Sequence, residues 1–158
     1  MNTQLITSWS EHDSFLQNVL ILASKTLRIF DQDLSKLKLE RPDSADSLRR
    51  FLSTDRQNLL WIVVKDAEPA RRDNPRLMKL LSTYPKNMTL VECPSHLSSL
   101  SDSMLIADDR HALIRFHADH ARSKAIIDNA EECLPYSLRF KEIAKEGGEQ
   151  VFATPLGL

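Results

Sequence analysis

The stretch NLLWIVVKD, residues 58–66, constrains the fold more than any other. It is a continuous apolar run of strand length, rich in β-branched residues and without polar alternation. A strand of that kind is expected to have both faces covered, as in a parallel sheet packed between helices. The flanking segments agree. TLRIFD (26–31) and MTLVEC (88–93) read as shorter strands. SEHDSFLQNVLILASK carries Phe15, Leu16, Val19, Leu20 and Ala23 in one stripe at helical spacing, with Ser10 as its cap and Asp13 three residues on. A short helix around 45–53 sets Leu48, Phe51 and Leu52 on one side. RRDNPRLMKLLSTYP opens another, with Asn74 at the cap, Pro75 at the first helical position, and Leu77, Leu80, Leu81 and Tyr84 inward. Helix and strand therefore alternate through residue 93, which predicts right-handed βαβ units.

The rhythm then changes. SMLIADDRHALIRFHAD reads as two strands around a tight turn at Asp109-Arg110, a hairpin. KAIID (124–128) is a further short strand. NAEECLPYSLRFKEIAKE is a helix that stops at Gly147-Gly148, where glycine takes the left-handed cap, with a kink or late start expected at Pro135. The apolar tail 150–158, QVFATPLGL, is expected to dock on the body. The architecture this predicts is a single α/β domain over 1–158. It has a mixed, mainly parallel sheet between helix layers, a C-terminal hairpin and a closing helix. A chain of 158 residues is long enough to bury a real core.

Composition excludes several classes. The formal net charge is −1, from 21 basic and 22 acidic residues, so no global positive field exists to hold nucleic acid. Phosphate or nucleic acid, which stays open as a partner, has to be held by a local cluster. Three glycines in the whole chain argue against a Gly-rich phosphate loop. No apolar run approaches the ~18 residues of a membrane span. The start, MNTQLITSWSEHD, lacks the basic-then-apolar order of a secretory signal. Cys93 and Cys133 are far apart and belong to no motif, so both are expected as reduced thiols in the core of a cytoplasmic protein. No motif implies a cofactor.

The polar stretch RFHADHARSK (115–124) is where chemistry concentrates. Arg115, His117, His120, Arg122 and Lys124 suit an anion such as a phosphate or a carboxylate, Arg through its planar donor fork. Asp31 and Asp33, in RIFDQDLS, lie just beyond the C-terminal end of a strand, the edge at which open α/β sheets bind ligands. The plainer account is a set of internal ion pairs between these cations and Asp31, Asp33 or Asp119, with the aspartates capping turns. His117, Asp119 and His120 fall short of the three or four ligands zinc wants, and no distant Cys/His pair is supplied, so no metal is expected. His12, Asp13 and Ser14 share one helix turn and lack the geometry of a catalytic triad.

The C-terminal layout also resembles a known family. Strand, Asp, tight turn, strand, polar segment, a short strand ending IID, then an acidic-started helix with RFKEI is similar to one half of a phospholipase D-type domain, over roughly residues 95–145. That superfamily carries His-x-Lys-x4-Asp, which lines up here on SDSMLIAD. Asp108 matches the family's Asp, Ser101 stands in place of the His and Ser103 in place of the Lys. The resemblance implies a phospholipase D-like fold, dimers joined around the active face, and a family chemistry that runs through a phosphohistidine. Serine at 101 has no evident adjacent base and serine at 103 brings no charge, and losing such groups typically costs ~10²–10³ each in rate. The chain is also similar to a group of small bacterial proteins sharing RIFD.DLS and RFHADHAR.

Three functions follow as expectations. The first is a degenerate, non-catalytic domain that binds a phosphate-bearing or other anionic ligand through Asp31, Asp33, Arg115, His117, His120 and Arg122. The second is an atypical phosphodiesterase that uses His117 or His120 in place of the lost histidine, with Asp108 retained. The third is a structural or partner-binding module in which the same residues form internal salt bridges. Hairpin register separates them. Short hairpins prefer a two-residue turn, on which 108 pairs with 111 and Ser101 and Ser103 share a face with Phe116 and Ala118, away from Arg115 and His117. That apolar face would suit a homodimer contact. A three-residue turn reverses the faces, because a slip of one residue flips every side chain.

Overall fold

The computed structural model describes residues 3–153. The chain opens with strand β1 (Thr3–Ile6) and helix α1 (Trp9–Leu22). It continues through β2 (Thr26–Asp31), α2 (Pro42–Thr54), β3 (Leu59–Val64), α3 (Glu68–Asp73), α4 (Pro75–Thr83) and β4 (Met88–Glu92). Then come the hairpin β5 (Ser103–Ala107) and β6 (His111–Arg115), β7 (Ser123–Ile126), α5 (Ala130–Lys145) and the two-residue β8 (Glu149–Gln150). None of the described helices is long and apolar enough to cross a membrane.

The described strands form one mixed sheet in the order β1-β7-β6-β5-β2-β3-β4-β8, flanked by helices. The βαβ expectation holds for β2, β3 and β4, which pair in parallel. Every other pairing is antiparallel, so the parallel part is three neighbouring strands towards one edge of the sheet and not its bulk. The reason is connection length. From β5 to β7 the strands are joined by short loops, which return the chain antiparallel, whereas parallel neighbours need a helical crossover. The two edge strands, TQLI and EQ, are too short to show a pattern in sequence.

One face of the sheet packs Leu27, Ile29, Leu60, Ile62, Leu105, Leu113 and Ala125 against α1, α2 and α4. The other packs Phe30, Val63, Met104, Ile106 and Ile114 against Cys133 and Phe140 of α5. Because α5 alone covers that second face, the start of β3 escapes it. Leu59 and Trp61 remain 51% and 39% exposed, and Trp61 meets Phe140 edge-on at 5.7 Å. Full coverage of β3 therefore holds only from Ile62 to Val64.

Several local details depart from expectation. Helix α1 is capped by Ser8, whose hydroxyl accepts from Glu11 N at 3.2 Å. The capping box is thus Ser8–Glu11, two residues earlier than Ser10–Asp13, and Asp13 turns to Lys38 and Arg41. Helix α5 runs through Pro135 without a late start, begun by the Asn129 side chain accepting from Glu132 N at 3.0 Å. Cys93 and Cys133 are buried free thiols, and burial, then the Asp109 and Glu132 charges, push Cys133 up to about 11. The tail begins to dock as expected, since Val151 is buried and its N–H donates to Leu90 O at 2.8 Å. Residues 154–158 lie outside the described range.

The hairpin is the main correction. Ala107 pairs with His111, so residues 108–110 form a three-residue turn, with Asp108 and Asp109 at φ 57° and 55°. Asp tolerates this left-handed conformation better than most residues. The turn is held because the Asp108 carboxylate accepts from the N–H groups of Ser24, Lys25 and Thr26 at 2.7–3.3 Å, where β2 begins. On this register Arg115 stands opposite Ser103, and the apolar face of Ser101, Ser103, Phe116 and Ala118 that suggested a homodimer does not exist.

Candidate functional site

Register carries the sequence directly into a polar row at one end of the sheet. Moving across the sheet, Ile29, Leu105, Leu113 and Ala125 lie side by side and form the apolar layer. Two residues further along, the same face presents Asp31, Ser103, Arg115 and Ser123. Asp31 Oδ1 accepts from Ser103 Oγ at 2.5 Å and from Arg115 Nη2 at 2.9 Å. Its Oδ2 accepts from the backbone N–H groups of Leu34 at 2.7 Å and Asp33 at 3.3 Å. The β2–α2 loop thereby wraps onto the carboxylate as an Asx-type turn.

Helix α1 roofs this row. His12, one turn before Phe15 and Leu16 on the buried stripe, accepts at Nε2 from Arg115 Nη1 at 3.3 Å. Trp9 lies one turn further back. The Arg115 guanidinium sits 5.4 Å from its ring centroid, and Trp9 meets the His12 ring edge-on at 5.3 Å. The cluster is sealed: Asp31 is 0% exposed, Arg115 and His12 1%, and Ser103 3%. Burial, reinforced by the Arg115 charge, lowers His12 to about 4 against the weaker opposite pull of Asp13 and Asp31. His12 is therefore neutral near pH 7, as an acceptor from an arginine must be. Two buried nitrogens, His12 Nδ1 and Arg115 Nε, have no hydrogen-bond partner among the described residues.

Chemically, this arrangement fastens more than it reacts. A carboxylate is far too weak a base to ionise Ser103, and Arg115 already neutralises it. Neither arginine nor serine reaches solvent.

The six residues proposed to line one site do not converge. Asp31 and Arg115 meet, as an ion pair. Asp33 is half-buried and turns away, its Oδ1 accepting from Ser35 N at 3.0 Å and Ser35 Oγ at 2.7 Å. His117, His120 and Arg122 lie exposed on the loop between β6 and β7. The two imidazoles are 5.0 Å apart between centroids, and His117 Nδ1 accepts from Asp119 N at 3.1 Å. Lys124 is on the opposite face, paired with Glu132 of α5. Asp108 sits at the far end of the hairpin from Ser103, where its carboxylate caps β2. Among the described residues no group of three or more His, Cys, Asp and Glu is placed to hold a metal. Sequence reasoning passed over His12 and Trp9 as site members. The available signal was a histidine on the apolar stripe of a helix, flanked at one turn's distance by tryptophan.

Residues 9–149 match the model of a domain of unknown function, DUF7931. The chain belongs to this DUF7931 family. A search of curated protein sequences gives no match. Solved structures do match the DUF7931 fold. TrmBL2, an archaeal chromatin protein with a novel mode of DNA binding, superposes with a TM-score of 0.68 at 13% identity, over 96% of this chain and 55% of that one. This chain thus spans about half the length of TrmBL2. Nuc, a phospholipase D family member from Salmonella typhimurium, gives 0.63 at 11% identity over 95% and 99% of the two chains. NucT from Helicobacter pylori gives 0.57 at 12% identity over 95% and 98%. These likenesses establish a phospholipase D-like fold.

Proposed function

We propose that this chain is a non-catalytic phospholipase D-like module that holds a phosphate-bearing or other anionic ligand at its surface, with Asp31, Ser103 and Arg115 serving as an internal fastening. One observation carries the reading: Arg115 is bonded to Asp31 at 2.9 Å inside a cluster whose members are at most 3% exposed. The cation and carboxylate that share the buried row with Ser103 are thereby spent on each other. Ser101 and Ser103 occupy the places where the resemblance puts a nucleophilic imidazole and its cationic neighbour, and neither can replace them.

Surface groups are left to meet a ligand. His117, His120 and Arg122 are exposed, and none forms an ion pair with a described residue. Arg122 offers a bidentate fork to a phosphate, and the paired imidazoles add ring N–H donors beside it. DNA is the first macromolecular probe, since TrmBL2, of the same fold, is a DNA-binding protein.

Two experiments test this. Hydrolysis of bis(p-nitrophenyl) phosphate is expected at background for wild type, His117→Ala and His120→Ala alike. Turnover by wild type that disappears in either variant would establish the phosphodiesterase instead. A thermal shift with a short DNA duplex is expected for wild type and is lost in Arg122→Ala. No shift with DNA or inorganic phosphate would sink the binding half. Arg115→Ala is the wrong variant for this purpose, because it unfastens the core.

A further inference from the structure

Helices α2 and α4 lie side by side on the sheet face that also carries the polar row. Their buried residues, Leu48, Leu52, Leu77 and Leu81, join the core beneath. Above that contact they splay and leave a cleft of about 590 Å³. Its walls follow helical spacing: Pro42, Ala45, Asp46 and Arg49 from α2, and Arg76, Lys79, Leu80 and Thr83 from α4, with Tyr84 at the end.

The charge in this cleft is lopsided. Arg49 faces Arg76 and Lys79 across the gap, with Asp46 as the one carboxylate in the lining. Asp46 is 3.5 Å from Arg49, and both side chains are well over half exposed, so that pair is weak. Arg76 Nη1 donates only to the Glu40 carbonyl, at 3.0 Å, and Lys79 has no carboxylate partner among the described residues. Cations on two packed helices repel across a gap unless a counter-charge enters it. The N-terminus of α4 does not fill that role: the Glu40 carboxylate already accepts from Arg76 N and Leu77 N at 3.0 and 3.1 Å. The anion position is thus set by side chains. Pro42, Ala45, Leu80 and the Tyr84 ring supply an apolar wall beside it. The volume falls in the range of ~300–1,000 Å³ usual for small-molecule sites.

The geometry points to a binding site between α2 and α4 for a small phosphate monoester that carries a flat apolar body, its phosphate held by Arg49, Arg76 and Lys79 and its body against Leu80 and Tyr84. This site is separate from the exposed loop that carries His117, His120 and Arg122, and it stands whether or not that loop binds DNA. Adenosine monophosphate is the probe, with inorganic phosphate (charge without body) and adenosine (body without charge) as comparison arms. Calorimetric titration of the full chain is expected to show binding of the monophosphate, weaker or absent binding of each fragment, and a loss of about tenfold in affinity for Arg49→Ala and again for Lys79→Ala. All three lining cations are surface residues, so these variants retain the fold, checked by circular dichroism. Arg122→Ala is expected to bind the monophosphate as wild type does. No binding at millimolar monophosphate, or unchanged binding in both cleft variants, overturns the site. Loss of binding in Arg122→Ala with the cleft variants intact also overturns it, and moves the ligand to the loop.

Discussion

Replacing Arg115 by methionine isolates the fastening role. Methionine fills most of the aliphatic volume, so little cavity is created and the loss is mainly electrostatic. Asp31, fully buried, then keeps a charge with no cation beside it. Removing one partner of a buried pair costs ~3–5 kcal/mol. The low end applies here, because Asp31 retains Ser103 Oγ at 2.5 Å and Leu34 N at 2.7 Å. The expected destabilisation is about 3 kcal/mol, a large share of the ~5–15 kcal/mol that holds an ordinary domain. Adding Asp31→Asn removes the stranded charge while keeping an acceptor for the loop N–H groups. The double variant should therefore recover, standing only about 1 kcal/mol below wild type by the logic that neutral replacements of buried pairs are tolerated. Urea unfolding followed by circular dichroism reads all four corners of the cycle. An Arg115→Met variant within about 1 kcal/mol of wild type, or a double variant as unstable as the sum of the singles, would refute the fastening account. Were Arg115 a ligand-binding residue, its loss would abolish binding and leave stability intact.

The same contacts dictate further outcomes. His12 titrates at about 4 in the folded chain against 6.5 ordinarily, so the unfolded chain takes up its proton first as pH falls. The stability it contributes is complete above pH 6.5, is reduced by about 2 kcal/mol at pH 5 and levels off below its folded value. The destabilisation of His12→Gln relative to wild type should shrink from pH 8 to pH 5, and an equal difference at both would remove the assignment. Asp108→Ala should cost ~2 kcal/mol by orphaning three backbone N–H groups of the β2 start while leaving ligand binding unchanged. An unaltered urea midpoint would reject its capping role. At Gly148, with φ 130°, an added Cβ would lie 2.2 Å from Glu92 O, so Gly148→Ala should detach β8 and speed hydrogen exchange at Val151 N. Unchanged protection there would show that the edge tolerates the substitution.

The sequence by itself determined the helix and strand identities wherever local signals were strong. Apolar runs without alternation marked β3, helical stripes marked α1 and α4, and glycines marked the end of α5, because each is decided by residues within a turn or two. It also placed Asp31 at a strand end and suggested its pairing with Arg115. Tertiary structure alone decided which way Arg115 points. Both faces of β5 and β6 are buried, so the positions between their polar ends, 104–107 and 112–114, are all apolar and alternation carries no register information. The choice between a two- and a three-residue turn fell to Asp108, whose partners at Ser24 to Thr26 lie some eighty residues away in the chain. The same distance hid His12 and Trp9, which read as one face of a helix until that helix is laid across the sheet. A side chain's neighbours along the chain set its local conformation; whether a charged group becomes a ligand contact or an internal pin depends on what the fold brings against it.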